Sequence, residues 1–203
     1  MLPDVWSMAD RRLRPRPRGD SSPASTHGPV GDLLRGVDHH LWVDDWFHRH
    51  PVLAQGERAL ADDLHPVGVR HLPLFAHIGW ELCLDGALLL RDGLETHLEP
   101  LRHALAETRG ASLDAALAHH VESPRRDAST RVVELLDRIA EGPWPAGYAD
   151  ADGLVGRLEG VRRRVGVDPL PAIARPRVVA AFAAALERAD RALPELLATR
   201  PRP

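Results

Sequence analysis

Six side chains of metal-binding type fall into two groups that share one spacing. They are His40, Asp44 and His48 in the first group, and His77, Glu81 and Asp85 in the second. Within each group the residues stand at positions i, i+4 and i+8. On an α-helix a step of four residues turns the side chain by only ~40°, so each group forms a stripe along one helix face. Imidazole and carboxylate groups aligned in this way can bind a divalent cation or transfer protons.

Apolar neighbours indicate that both stripes point toward the protein interior. They are Leu33, Val37 and Leu41 beside the first stripe, and Leu74, Ile78 and Leu88 beside the second. A buried carboxylate without a partner is costly, so it needs an ion, a hydrogen-bond partner or a proton. Two such helices facing each other would enclose a pocket with nitrogen and oxygen ligands. The spacing therefore predicts a metal-dependent hydrolase site between two helices.

The helical rise limits how one ion can be held. From i to i+8 the rise is ~12 Å, so one ion cannot bind all three members of a stripe. Adjacent pairs can chelate together, such as His40 with Asp44 or Glu81 with Asp85. Mixed imidazole and carboxylate ligands suit Mn²⁺, Fe²⁺ or Zn²⁺ better than Ca²⁺.

Such an ion lowers the pKa of bound water and stabilises an attacked phosphoryl oxygen. A histidine left over, His48 or His77, would then protonate the leaving group. The alternative is a buried polar network or salt-bridged core without an ion. The other polar residues of the first helix lie on its opposite side and are expected in solvent: Asp38, His39, Asp45, Arg49 and His50.

The composition is that of an ordinary globular chain. The 203 residues carry a net charge of −3, and every one of the 26 basic residues is arginine. This charge argues against a nucleic-acid partner. The single cysteine, Cys83, stands in an apolar run and is expected to be a buried thiol. No apolar run suggests membrane insertion or a signal peptide, so a cytoplasmic location is expected.

Composition and periodicity divide the chain at residue 28. Residues 1–28 read as a basic, Pro/Ser/Gly-rich and partly disordered segment, in which Leu2–Trp6 could open a short helix. From Pro29 the apolar pattern is helical, with no period-2 strand. Residues 29–199 are predicted to form an all-α, single-domain bundle of about seven or eight helices, and Pro51 and Pro73 mark helix boundaries.

Parts of the sequence resemble the acyl carrier protein phosphodiesterases. The run GVDHHLWVDDWFHRHP, from Gly36 to Pro51, is similar to that family's G-I-x-x-H-R-x-I-D-x-x-T-D-x-H-P segment. His40 and Asp44 fall on its histidine and first aspartate. Residues 81–88 resemble the family's D-x-x-x-D-H-F-L motif, and Leu2-Pro3-Asp4 resembles the end of its N-terminal G-N-x-x-x-D segment.

The sequence also departs from the family pattern. His48 stands at the second aspartate, Glu81 replaces an aspartate, and Gly86 replaces a histidine. The family's opening strip, with a histidine before the first aspartate, has no counterpart, so the sequence is expected to be either N-terminally truncated or given with a misassigned start.

The resemblance implies an all-helical fold related to HD-domain phosphohydrolases. It also implies Mn²⁺- or Mg²⁺-dependent cleavage of phosphopantetheine from a serine of acyl carrier protein. The metal ligands expected from the resemblance and the stripes together are Asp4, His40, Asp44, His48, Glu81 and Asp85. His77 is added on spacing alone. Manganese is the expected ion, with Mg²⁺, Fe²⁺ and Zn²⁺ as alternatives.

If acyl carrier protein is the partner, a basic rim should receive its acidic helix. Arg11–Arg18 and Arg162–Arg164 are the candidates, although a solvated helix end is the favoured interpretation of the second run. Two other functions remain open. One is a zinc-dependent phospholipase C or nuclease of the all-helical type. The other is a non-catalytic helical protein that stores an ion or holds it structurally.

Overall fold

The structure is a computed structural model that describes residues 2–10, 12–16, 28–122, 124, 126–141 and 146–201, apart from the side chains at positions 2–4, 101, 105, 107 and 140. The described residues form nine α-helices and no strand, which confirms the all-α prediction. The helices are α1 (Leu2–Ala9), α2 (Pro29–Arg49), α3 (Pro51–Leu64), α4 (Leu72–Asp92), α5 (Leu94–Glu107), α6 (Ala111–His120), α7 (Ala128–Glu141), α8 (Ala151–Arg164) and α9 (Arg175–Ala198). The relation to HD-domain folds stays a prediction.

Two prolines mark helix boundaries as predicted. Pro51 is the first residue of α3, and Pro73 is the second residue of α4. Proline suits the first turn of a helix because the N–H that it lacks would have no partner within the helix there. α4 is preceded by His71, which has a positive φ of 56° and provides no side-chain cap.

The described helices divide between two compact units, whereas the sequence predicts one bundle. The first unit comprises Met1–Trp46, Leu98–Trp144 and Pro201–Pro203, and the second comprises Phe47–His97 and Pro145–Arg200. The division falls inside α2 and inside α5. Helical periodicity predicts which face of each helix is buried, but it does not predict which helices pack together.

Part of the predicted N-terminal tail belongs to the core of the first unit. Val5 and Trp6 of α1 are buried, and Leu13 is buried in the segment that follows. The backbone N–H of Arg16 donates to the carbonyl oxygen of His120 at 2.9 Å, which ties this segment to the end of α6. Disorder is predicted for the Ser/Pro/Gly-rich stretch, and this stretch lies outside the described residues as far as position 27.

α4 is the central helix of the second unit. It packs against α3, α8 and α9, and α9 also contacts α3 and α8. Cys83 is buried on α4 as a free thiol, as predicted. By length and composition alone α4 could also cross a membrane, but half of its most apolar stretch is buried within the unit. The same burial is expected of the central helix of a bundle.

α3 and α4 approach each other closely because glycines stand at their contact. A Cβ atom on Gly56 of α3 would fall inside the indole ring of Trp80. A Cβ atom on Gly79 of α4 would lie 2.9 Å from Phe182 and 3.0 Å from Leu60. This close contact holds the polar residues next to Gly56 and Trp80 within reach of one another.

Candidate metal centre

Three of the predicted site residues come together in the second unit. They are His48 at the end of α2, and His77 and Glu81 on α4, and each offers one ligand atom within 4.8 Å of the other two. The Nε2 atom of His48 lies 3.6 Å from Oε1 of Glu81, and the Nε2 atom of His77 lies 3.4 Å from the same oxygen. The centroids of the two imidazole rings are 5.3 Å apart.

The local sequence accounts for how α4 presents its two ligands. His77 and Glu81 are one helical turn apart, so both side chains project from the same face. Their neighbours Ala76 and Trp80 are buried against the rest of the unit. The ligands therefore stand at the margin of the buried face of α4.

His48 lies two residues before His50, where the chain passes from α2 to α3. His50 is the N-cap residue immediately before α3, and its Nδ1 accepts a hydrogen bond from the backbone N–H of Val52 at 3.2 Å. Its Nε2 then carries the hydrogen and contacts the hydroxyl of Thr199 at 2.9 Å, beyond the end of α9. His50 is buried, so its predicted exposure to solvent is wrong. The reason is that the chain turns at His50, where a helical projection no longer applies.

The three grouped side chains are half-buried to exposed. Their exposed fractions are 40% for His48, 31% for His77 and 32% for Glu81. The sequence predicts that both stripes point into the core, whereas His48, His77 and Glu81 lie at the edge of the core. An ion bound here would be reachable by water and by a substrate.

Glu57 on α3 contacts His77 on the side of the ring away from Glu81. Its Oε1 lies 2.6 Å from Nδ1 of His77, the ring nitrogen opposite the one that approaches Glu81. Glu57 is not among the predicted site residues. A signal was present, because Leu53, Glu57, Leu60 and Leu64 stand at i, i+4, i+7 and i+11, which puts a carboxylate in the apolar stripe of α3.

The remaining predicted ligands are not members of this three-residue group. His40 and Asp44 are half-buried residues of α2 within the first unit. Asp85 is exposed one turn beyond Glu81 and is not a member of the three-residue group. Asp4 lies on α1, and its side chain is outside the described part of the structure.

The two arginine runs that are candidates for binding an acidic partner differ in their exposure to solvent. Arg12, Arg14 and Arg16 are exposed, whereas Arg162 is 3% exposed. Arg162 donates from Nε to the carbonyl oxygen of Asp168 at 3.1 Å. The interpretation of 162–164 as a solvated helix end is therefore wrong for its first residue, because Arg162 turns inward to hold the loop between α8 and α9.

The donor set can hold one divalent cation. Two imidazole nitrogens and one carboxylate oxygen suit Zn²⁺, Fe²⁺ or Mn²⁺, and they do not select one ion among these. Three protein ligands leave coordination positions for water and substrate, which is typical of catalytic zinc sites, whereas structural zinc sites have four.

Comparison of the whole chain with models of known protein families, with curated proteins and with solved structures finds no match.

Proposed function

We propose that this protein is a divalent-metal-dependent hydrolase in which His48, His77 and Glu81 hold a single ion. The observation that carries the proposal is the convergence of these three ligand atoms within 4.8 Å of one another. Their partial exposure supports it as well, because a catalytic ion must be open to water and substrate. The ion would lower the pKa of a bound water and stabilise the oxygen of the attacked group.

The protein side chains have separate tasks in this proposal. His48 and His77 would each offer the lone pair of a ring nitrogen, and Glu81 would offer a carboxylate oxygen. A histidine whose Nε2 binds the ion cannot protonate a leaving group through that nitrogen. The acid role that the sequence predicts for His48 or His77 is therefore replaced here by the ligand role.

The substrate class that we propose is a phosphodiester. Its support is the resemblance of residues 36–51 and 81–88 to the acyl carrier protein phosphodiesterases. Two of the three grouped residues, His48 and Glu81, stand at motif positions where that family has aspartate. The specific substrate would then be phosphopantetheine attached to acyl carrier protein, with manganese as the ion. Phospholipids and nucleic acids are the alternative phosphodiesters.

Turnover by metal-loaded protein tests the proposal. The full chain is stripped with a chelator, reloaded separately with Mn²⁺, Mg²⁺, Fe²⁺ or Zn²⁺, and assayed with bis(p-nitrophenyl) phosphate. The variants are His77→Ala and, as a matched control, His97→Ala. His97 is 34% exposed and its Nε2 lies 3.2 Å from a carboxylate oxygen of Asp92, but it is outside the metal cluster.

We expect turnover with at least one ion, loss of turnover in His77→Ala and no change in His97→Ala. Turnover that survives in His77→Ala would place the activity elsewhere. A bound ion without turnover on this ester, on phospholipid, on nucleic acid or on phosphopantetheinyl carrier protein would instead identify a storage or structural role.

A further inference from the structure

We infer that Glu57 is a positioning residue of the candidate metal centre, acting on the ion through His77. The inference rests on the proposed function. Glu57 and Glu81 approach opposite nitrogens of one imidazole ring, at 2.6 Å from Nδ1 and 3.4 Å from Nε2. Glu57 therefore contacts the side of His77 that faces away from the other two ligands.

The contact selects one form of the imidazole. A neutral ring carries a single N–H, and an ionised carboxylate can only accept a hydrogen bond. Glu57 therefore favours the tautomer with its hydrogen on Nδ1, which leaves the lone pair of Nε2 directed toward Glu81 and His48. The 2.6 Å separation is that of a short, charge-assisted hydrogen bond. Histidines that bind metals commonly donate their second N–H to a carboxylate in this way.

The packing of α3 against α4 holds Glu57 in place. Gly56 contacts the ring of Trp80, which brings the next residue of α3 alongside His77. Glu57 is 30% exposed, and His77 is the only ion-pair partner of its carboxylate among the described residues. The carboxylate orients the ring and makes it a stronger electron donor.

The inference predicts a graded loss of metal affinity. Removing an outer carboxylate that orients a metal-bound histidine weakens metal binding about 10- to 100-fold. Glu57→Ala should show that loss while still binding one ion. Glu57→Gln retains an oxygen that can accept the Nδ1 hydrogen, so it should recover part of the affinity.

The experiment titrates Co²⁺ into metal-free wild-type protein, Glu57→Gln, Glu57→Ala, His77→Ala and the control Asp92→Asn. Asp92 is the carboxylate partner of His97, so the control removes a carboxylate next to a histidine outside the centre. Binding is followed by calorimetry and by the visible absorption of Co²⁺. Nitrogen NMR of the metal-free protein reports which ring nitrogen of His77 carries the hydrogen.

We expect affinity to fall in the order wild type, Glu57→Gln, Glu57→Ala, with an altered Co²⁺ spectrum and a shift of the His77 hydrogen from Nδ1 in Glu57→Ala. Asp92→Asn should match the wild type. If Glu57→Ala does not fold, Glu57→Gln alone carries the comparison.

Two negative results have different meanings. Wild-type affinity and spectrum in the folded Glu57 variants, with metal binding lost in His77→Ala, would overturn the role of Glu57 and leave the metal centre standing. Absence of Co²⁺ binding by the wild type would overturn the centre itself, and Glu57 and His77 would then be a structural pair joining two helices.

Discussion

Gly56 and Trp80 are in contact where α3 meets α4, and the face of the indole occupies the space that a Cβ atom on residue 56 would need. The residues that follow each of them, Glu57 and Glu81, both approach the ring of His77. The candidate centre therefore depends on a helix contact that is built from the smallest and the largest side chains of the chain.

A methyl group at this contact should disturb both stability and metal binding. Gly56→Ala would force α3 and α4 apart, and overpacking of this kind costs about 1–3 kcal/mol of unfolding free energy. Because Glu57 and His77 would separate, metal affinity should fall as well. Denaturant unfolding and calorimetric metal titration measure the two effects.

The matched control is Gly156→Ala in α8, where an added Cβ atom meets nothing within 4 Å. Alanine is the better helix former, so this change should raise stability by about 0.5–1 kcal/mol and leave metal affinity unchanged. Equal effects of the two substitutions would contradict the close packing of α3 against α4.

Loss of the buried His50 should destabilise the second unit. His50→Ala removes the side chain that caps α3 and its contact with Thr199, and a lost cap costs about 0.5–2 kcal/mol. For a chain of this size, each kcal/mol lowers the melting temperature by about 2–4 °C. Calorimetry or circular dichroism on heating measures the shift.

His71 provides the contrasting position before α4. It has a φ of 56° and no capping hydrogen bond, so His71→Gly should relieve backbone strain and leave stability equal or higher. A fall in melting temperature for His71→Gly together with no change for His50→Ala would contradict both assignments.

Much of the fold follows from sequence periodicity, and the candidate metal centre follows only in part. The i, i+4 spacing placed His77 and Glu81 on one face of a helix because that relation is local to α4. The first stripe also predicts His48 as a ligand, whereas His40 and Asp44 of that stripe are not members of the three-residue group. The contact of Glu57 with His77 cannot be predicted from local sequence, because it depends on how α3 packs against α4. Glycines set the distance between these two helices, and which glycines do so is known only once the partner helix is known.

The burial of His50 is a second feature that local sequence does not predict. Projecting α2 as one continuous helix places His50 on its solvent side, but α2 ends at Arg49 and His50 caps the N-terminus of α3. Its burial against Thr199 is a contact between residues 149 positions apart. Local sequence patterns carry no information on such a contact.

The buried Cys83 thiol should resist ionisation and alkylation. Burial raises the pKa of the Cys83 thiol from 9.0 to about 12, and the nearby Arg188 guanidinium opposes this in part. The native protein should react slowly with iodoacetamide at pH 9–10, and unfolding in urea should restore rapid reaction. Fast alkylation of the native chain at a rate independent of urea would contradict the burial of this thiol.

The raised pKa of the Cys83 thiol should also make the free energy of unfolding fall with rising pH. Between pH 9 and about 12 the unfolded chain loses the Cys83 proton while the folded chain keeps it, so stability falls as pH rises. The slope from this one group is at most about 1.4 kcal/mol per pH unit. The unfolding free energy of the wild type minus that of Cys83→Ala, measured from pH 8 to 11, should decrease as pH rises. A difference that stays constant would contradict the shift.

Substitutions along the two stripes define how far the ligand set extends. Asp85→Asn and Asp44→Ala change residues that lie outside the three-residue group, so each variant should still bind one ion per chain with little change in affinity. Elemental analysis and calorimetry measure both quantities. Loss of the ion in either variant would extend the ligand set to the longer stripe that the sequence predicts.

The most direct measurement is the number of Zn²⁺ or Co²⁺ ions bound by metal-free full-length protein, compared between wild type, His77→Ala and His97→Ala. We expect one ion per chain in the wild type and in His97→Ala. The affinity of His77→Ala should be at least about 100-fold weaker, because loss of a ligand should weaken binding no less than loss of the carboxylate behind it. Failure of the wild type to bind either ion, or equal binding by His77→Ala, would contradict this expectation.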